Sequence, residues 1–194
     1  MPTYRAIVIG SSMGGLKALE TILRALPDDF AIPIAIVQHV SPDQGGILAA
    51  TLSERVKVAV KEAEDKESLV AGTIYIAPPN YHLLIESDET FSLSVDEKEN
   101  YSRPAIDVLF ESAADVFGGS LVGVVLTGAN SDGAMGLKRI QEKGGLAIVQ
   151  DPETAQAKAM PAAALQATKP DYVVPLEEIG PFLASLGISG EKDG

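Results

Sequence analysis

The chain contains no cysteine among its 194 residues and only two histidines. The lack of cysteine excludes disulfide bonds, a thiolate nucleophile and zinc sites built from thiolates. Two histidines supply too few of the remaining preferred ligands for a catalytic zinc ion. We therefore predict that the protein holds neither a metal ion nor another cofactor.

Basic residues are also scarce, since 15 lysines and arginines face 27 aspartates and glutamates, which gives a formal net charge of -12. Such a surface repels phosphate backbones and anionic membranes, so we predict no nucleic-acid partner. The chain shows neither a signal-peptide pattern nor an apolar run long enough to span a bilayer. We expect a cytoplasmic protein that does not insert into membranes.

Apolar runs alternate with segments of helical periodicity along most of the chain. This alternation is typical of βα units, and it predicts an α/β fold with a doubly wound, mostly parallel sheet and helices on both faces. A length of 194 residues with 46% hydrophobic content suits one domain, which we place over residues 1–190. Residues 191–194 are predicted to be a disordered tail, and a short strand is predicted over residues 56–60.

The middle of the chain departs from this pattern. Short apolar runs over residues 73–77, 82–85 and 91–95 follow one another closely, with turn residues between them. Their spacing predicts an antiparallel hairpin or meander inserted beside the parallel sheet. We interpret the charged stretches 61–68 and 96–100 as solvated loops without a function.

Three residues with the side-chain types of a catalytic triad follow apolar runs. Ser12 lies in a glycine-rich turn after the first run, His39 ends the second, and Asp132 follows the run over residues 121–126. Because the carboxyl ends of parallel strands meet at one edge of a sheet, we expect the three side chains to converge. Acyl transfer needs a hydroxyl nucleophile, a base and an anion that orients the base, so the residues are candidates for these roles.

Each candidate also has a structural explanation. Ser12 could belong to a turn that cradles a phosphate, His39 could be a strand-end residue without chemistry, and Asp132 could cap the helix that follows it. A nucleotide site is disfavoured because no Walker lysine follows the glycine-rich turn. We expect His82, in the predicted hairpin, to line the cleft at most, and Asp107 to be a solvated helix charge.

Seven blocks of the sequence resemble the catalytic domain of the chemotaxis protein-glutamate methylesterases. They are residues 9–15, 37–39, 72–78, 103–110, 126–128, 132–134 and 150–154. The resemblance implies a serine hydrolase that removes methyl groups from γ-glutamyl methyl esters on chemoreceptors and releases methanol, and some members also deamidate receptor glutamines. It places the triad on Ser12, His39 and Asp132, and it implies a methylated chemoreceptor or related signalling protein as the partner.

The chain departs from that family near the expected oxyanion pocket. The family commonly has threonine after the nucleophile and methionine after the Thr-Gly pair, where this chain has Met13 and Ala129. Their backbone N–H groups survive the change but a hydroxyl donor does not, and one lost donor can cost about 3 to 4 kcal/mol of transition-state binding. Ser11 and Asn130 are candidates to compensate. The alternative is a weakly catalytic or non-catalytic signalling module of the same fold that binds a partner protein.

Members of the chemotaxis pathway usually carry an N-terminal receiver domain that blocks the cleft. The first predicted strand of this chain begins by Tyr4, so we expect that form of regulation to be missing. On this expectation the substrate need not be a chemoreceptor, since relatives without a receiver can serve other signalling systems.

Overall fold

The computed structural model describes residues 4–40 and 46–187, so the tail predicted at residues 191–194 lies outside the described residues. The strands of the described part are β1 (Ala6–Ser11), β2 (Ile34–Gln38), β3 (Ala59–Glu62), β4 (Thr73–Ile76), β5 (His82–Ile85), β6 (Phe91–Ser94), β7 (Leu121–Val125), β8 (Leu146–Gln150) and β9 (Tyr172–Val174). Its helices are α1 (Gly15–Arg24), α2 (Ile47–Ser53), α3 (Ile106–Phe117), α4 (Ala134–Glu142), α5 (Ala159–Ala167) and α6 (Leu176–Gly187). None of these helices is long and apolar enough to cross a membrane.

Within the described residues, the main sheet has seven strands in the order β3-β4-β2-β1-β7-β8-β9, and the paired strands run parallel. β1 lies between β2 and β7, and the chain proceeds from β1 to β2 on one side and reaches β7 on the other. Strand order therefore reverses at β1. In open α/β sheets, ligands bind beyond the carboxyl ends of the strands at such a reversal.

Both faces of the sheet are buried, as the long apolar runs predict. Along β1, Ala6 and Val8 pack with α3, α4 and α5, whereas Ile7 and Ile9 pack with α1, α2 and α6. All four side chains are at most 1% exposed. This alternation confirms the prediction of a doubly wound sheet with helices on both faces.

The predicted antiparallel insertion is smaller than expected. β5 and β6 form an antiparallel hairpin, but they make a separate two-stranded sheet that packs on α3. The expectation that residues 73–77 belong to this insertion was wrong, since β4 pairs in parallel with β2 and β3. The physical reason is burial, because Ile74, Tyr75 and Ile76 lie on both faces of the sheet and are each at most 2% exposed.

The strand predicted over residues 56–60 is shifted toward the C-terminus. β3 begins at Ala59 and ends at Glu62, because its pairing follows β4 residue by residue from Ala59 opposite Thr73 to Glu62 opposite Ile76. Lys61 and Glu62 therefore belong to an edge strand rather than to the predicted solvated loop. Val58 is buried in the core just before the strand starts.

The start of α3 packs tightly across the carboxyl end of β1. A Cβ atom at Gly10 would lie 2.3 Å from Cγ2 of Ile106, a distance that no real Cβ contact tolerates. Glycine at this position lets the first residue of α3 approach the strand. The N-terminus of α3 therefore lies close to the strand ends where Ser12 and His39 are found.

Candidate active site

Backbone hydrogen bonds tie the ends of three neighbouring strands together. The N–H of His39 donates to the carbonyl of Ser11 at 3.0 Å, and the N–H of Ser12 donates to the carbonyl of Thr127 at 2.9 Å. Ser12 follows β1, His39 follows β2 and Thr127 follows β7 by two residues. The strand-end convergence predicted for Ser12 and His39 therefore rests on direct backbone contacts.

Gln38 holds the backbone beneath these two residues. Its Oε1 accepts a hydrogen bond from Ser11 Oγ at 2.5 Å, and its Nε2 donates to the carbonyls of Ser12 at 2.8 Å and His39 at 2.9 Å. A Cβ atom at Gly15 would lie 1.7 Å from Gln38 Oε1, so glycine is needed there to admit the amide. Sequence reasoning assigned no role to Gln38, because a polar residue at the end of a strand carries no signal of its partners.

His39 and Asp132 form a direct pair. His39 Nε2 lies 2.7 Å from Asp132 Oδ2, the Asp132 side chain is fully buried and the His39 side chain is 12% exposed. An ionised carboxylate only accepts hydrogen bonds, so the ring proton of neutral His39 is assigned to Nε2. Nδ1 then carries the lone pair that a general base needs, and the Asn130 amide nitrogen lies 3.4 Å from it.

Asp132 caps a helix other than the one expected from the sequence. Its Oδ2 accepts from the N–H of Ile106 at 2.7 Å and its Oδ1 from the N–H of Asp107 at 3.0 Å, which are the first two amides of α3. The interpretation of Asp132 as a cap for the helix that follows it was wrong, since among the described residues the first turn of α4 donates to Asp107, through the N–H of Gly136, and not to Asp132. Asp132 thus accepts a hydrogen bond from His39 and caps the N-terminus of α3 at the same time.

The hydrogen bonds around Asp132 decide its charge. Burial alone raises the pKa of this carboxyl, but the hydrogen bonds from His39 and from the N–H groups of Ile106 and Asp107 outweigh burial and hold the pKa below its ordinary value. Asp132 is therefore ionised at neutral pH, which is the state that orients an imidazole and stabilises its cation.

Asp107 is not the solvated helix charge that we expected. Its Oδ1 accepts from the N–H of Gly136 in α4 at 2.7 Å, and its Oδ2 accepts from the Asn100 side-chain amide at 2.8 Å. Burial raises the pKa of Asp107, the Gly136 N–H opposes that rise, and the neighbouring Asp132 adds to it. The cause is tertiary packing, because α3 and α4 lie side by side. Asp132, just before α4, accepts from the first N–H groups of α3, and Asp107 of α3 accepts from an N–H of α4.

A cavity of about 520 Å³ opens at this edge of the sheet. Ser12 and His39 both line it, together with residues of α1 and α2 and with Gln156. Within the described part of the chain, Ser12 Oγ makes no hydrogen bond, and such contacts are often looser in unliganded sites. Leu16 and Ile47 line the cavity with apolar side chains that are 42% and 58% exposed, and Met13, which is 56% exposed, lies in the chain between the lining residues Ser12 and Gly14. We call these three residues the apolar rim.

The candidate oxyanion residues differ in what they offer. Among the described residues, no group accepts a hydrogen bond from the N–H of Met13 or of Ala129, so both amides are available to a ligand. The Ser11 hydroxyl is fully buried and donates to Gln38, which leaves it no proton for a substrate. Asn130 lies at the site, but its side chain contacts His39 and accepts from the N–H of Asp132 at 3.0 Å.

His82 does not line this cavity, so the place in the cleft that we expected for it at most is not found. Its Nδ1 accepts from the N–H of Ala105 at 3.2 Å, and its Nε2 contacts the carbonyl of Glu97 at 2.9 Å. The ring is 2% exposed. His82 therefore joins the hairpin to the segment before α3, which is a structural role.

Comparison with known proteins shows the family to which the chain belongs. A family model described as CheB methylesterase matches residues 7–183. The chain belongs to the CheB methylesterase family. The crystal structure of the Thermotoga maritima CheB methylesterase catalytic domain superposes with a TM-score of 0.91 at 36% identity, covering 94% of this chain and 98% of that chain. The CheB fold and the family predicted from the sequence blocks are confirmed.

Relatives of this CheB-family chain differ in length. A Leptospira interrogans relative is 55% identical over 183 residues, which cover 94% of this chain and 95% of the relative. A Nocardioides sp. protein named protein-glutamate methylesterase/protein-glutamine glutaminase is 41% identical over 181 residues, covering 92% of this chain but 49% of that protein. The chain therefore spans nearly the whole of one relative and about half of the other. The names place this chain in a family of protein-glutamate methylesterases.

Proposed function

We propose that this CheB-family chain is a serine hydrolase that cleaves γ-glutamyl methyl esters on chemoreceptor-like proteins to glutamate and methanol. The observation that carries the proposal is the 2.7 Å hydrogen bond between His39 Nε2 and Asp132 Oδ2, beside a cavity that Ser12 and His39 both line. Ser12 is assigned as the nucleophile, His39 as the general base and Asp132 as the residue that orients His39.

The proposed reaction proceeds in two halves. In the first, His39 Nδ1 takes the proton of Ser12 Oγ as this oxygen attacks the ester carbonyl carbon, and Asp132 stabilises the imidazolium. The carbon–oxygen bond to the methoxy group breaks, the proton passes from His39 to that oxygen, and methanol leaves. In the second half His39 takes a proton from water, the resulting hydroxide attacks the acyl carbon, and the proton returns to Ser12 Oγ as glutamate is released.

The N–H groups of Met13 and Ala129 are assigned as donors to the oxyanion that forms in both halves. Support comes from their positions in the chain, since Met13 follows Ser12 and Ala129 precedes Asn130, whose side chain lies 3.4 Å from His39, and from the lack of any acceptor for them among the described residues. The Ser12 carbonyl, which belongs to the same peptide group as the Met13 N–H, accepts from Gln38 Nε2 at 2.8 Å, and this contact fixes the peptide that follows the nucleophile. Rigid donors of this kind stabilise developing charge without reorganising. Although residue 13 has no hydroxyl group, the two backbone N–H donors of Met13 and Ala129 are therefore retained.

The same route accommodates deamidation, an activity that the names of several relatives include. Ammonia then replaces methanol as the leaving group, and the acyl-enzyme is identical. The proposed partner is a methylated chemoreceptor or a related signalling protein, with the apolar rim meeting the surface that carries the modified side chain. The cytoplasmic location stays a prediction.

A weakly catalytic signalling module of the same fold is the second candidate. The departures at Met13 and Ala129 from the usual family residues favour it. In this case the cavity binds the modified side chain of a partner without turning it over.

Methanol release separates the two candidates. We expect the wild-type protein to release methanol from a peptide that carries one γ-glutamyl methyl ester, measured by coupled oxidation of methanol. The matched control is the same peptide with a β-aspartyl methyl ester, whose carbonyl lies one methylene nearer the backbone, and we expect slower release from it. Saturable binding of the glutamyl peptide without methanol would support the module and contradict the hydrolase.

A further inference from the structure

A tight turn next to the site presents one polar side chain to Asp132. Glu99 and Ser102 exchange backbone hydrogen bonds, from Glu99 N–H at 3.2 Å and from Ser102 N–H at 2.8 Å. The two residues between them have positive φ angles, 50° at Asn100 and 63° at Tyr101, as in a type I′ turn. Asparagine tolerates this conformation well, whereas tyrosine does not. Tyr101 is 97% exposed.

The Asn100 amide bridges the buried carboxylate of Asp132 and the half-buried carboxylate of Asp107. Its Nδ2 donates to Asp132 Oδ1 at 2.9 Å and to Asp107 Oδ2 at 2.8 Å. An amide nitrogen carries two hydrogens, so each carboxylate receives one of them. Residues 96–100 are exposed, as predicted for a solvated loop, but the Asn100 side chain is held by two carboxylates rather than by solvent alone.

This contact affects the orientation of Asp132. Oδ2 of Asp132 accepts hydrogen bonds from His39 and from the N–H of Ile106. Oδ1 accepts them from the N–H of Asp107 and from the Asn100 amide. With two donors on each oxygen, the carboxylate cannot rotate without losing hydrogen bonds. The Asn100 amide also supplies positive N–H dipoles between Asp132 and Asp107, which repel each other.

We propose that Asn100 is a positioning residue, whose amide bridge between Asp107 and Asp132 keeps the Asp132 carboxylate aimed at His39. The inference rests on the proposed hydrolase function. Asn100 acts through Asp132 and does not touch the substrate. No other side chain of the described residues besides His39 donates to Asp132, so Asn100 is the side-chain contact that holds its second oxygen.

Asn100→Gly is the main test, because glycine adopts positive φ freely and keeps the turn while it removes the amide. We expect kcat for the γ-glutamyl methyl ester to fall roughly 10- to 100-fold with little change in KM. Tyr101→Gly is the matched control, since it relaxes the same turn at a side chain that is 97% exposed. We expect this control to keep wild-type kcat and to be at least as stable in urea.

Asn100→Asp separates the amide from the turn. Aspartate has the same size and also tolerates positive φ, but it replaces the donor by an acceptor and adds a third carboxylate to the cluster. We expect a larger loss of kcat than in Asn100→Gly. If Asn100→Gly does not fold, this variant decides the question.

A readout independent of activity is the NMR resonance of the proton between His39 Nε2 and Asp132 Oδ2. We expect this resonance to shift in both Asn100 variants and to stay in place in Tyr101→Gly. An unmoved resonance with kcat within threefold of wild type in the Asn100 variants overturns the proposal, and so does an equal loss in Tyr101→Gly. If the wild-type protein releases no methanol, the proposed function fails, and the resonance alone still decides whether Asn100 positions Asp132.

Discussion

Ser12→Ala lowers kcat/KM for a γ-glutamyl methyl ester by roughly 10⁴-fold or more, because the acyl-enzyme can no longer form. We expect the fold to survive. The backbone of Ser12 is held by two hydrogen bonds, since its N–H donates to the carbonyl of Thr127 and its carbonyl accepts from Gln38 Nε2. Its hydroxyl makes no hydrogen bond among the described residues. The measurement is methanol release by wild type and variant, with the melting temperatures compared in the same buffer.

Ser131→Ala is the matched control for that substitution. Ser131 is an exposed serine next to Asp132, and only its backbone carbonyl takes part in a described hydrogen bond, from the N–H of Ala134 at 3.2 Å. We expect it to keep the wild-type rate and melting temperature. A Ser12→Ala protein that is folded and within tenfold of wild type would contradict the assignment of the nucleophile.

Asp132→Asn is the second change with a large expected effect, roughly 10⁴-fold in kcat. An asparagine side chain must turn its NH₂ group toward one of two pairs of donors. On the Oδ2 side these are His39 and the Ile106 N–H, and on the Oδ1 side the Asp107 N–H and Asn100. If the NH₂ faces His39, the ring proton moves to Nδ1 and the general base is lost.

The same substitution also lowers stability, by about 2 to 4 kcal/mol, because two buried donors lose their acceptor. The pKa of Asp132 is held below its ordinary value of 3.8. Its contribution to stability is therefore complete above that value and disappears as the pH falls through the lowered pKa. We expect the difference between wild type and Asp132→Asn in urea unfolding to be constant near neutral pH and to shrink only below pH ~4.

Asp115→Asn provides the comparison for this effect. Asp115 pairs with Arg139 at 2.9 Å and Lys143 at 3.2 Å on the surface, with its side chain 55% exposed. Exposed ion pairs contribute little to stability, so we expect no change in kcat and a difference in stability below about 1 kcal/mol. An Asp132→Asn variant that behaves like Asp115→Asn would contradict the role given to Asp132.

The strand ends could be predicted because they depend on local pattern. Ser12 and His39 each follow an apolar run, and parallel strands place their carboxyl ends at one edge. The surroundings of Asp132 could not be predicted in this way. Its partners Ile106, Asp107 and Asn100 come from the start of α3 and from the preceding turn, and only tertiary packing brings these segments together.

Two other features illustrate the same limit. β4 resembles a hairpin strand in length and spacing, and only its burial on both faces assigns it to the parallel sheet. Gln38 occupies the last position of β2, and its three hydrogen bonds depend on the turn at Ser11 and Ser12, which belongs to a neighbouring strand. Local periodicity carries neither kind of information.

The central claim is that Ser12, His39 and Asp132 act together on an acyl group, and labelling by a fluorophosphonate tests it most directly. Such reagents react with a serine only when a neighbouring base activates it. We expect one adduct per chain, located on Ser12 by peptide mass analysis, and its loss in Ser12→Ala and strong slowing in Asp132→Asn. No adduct at saturating reagent, or an adduct on another serine, would contradict the account.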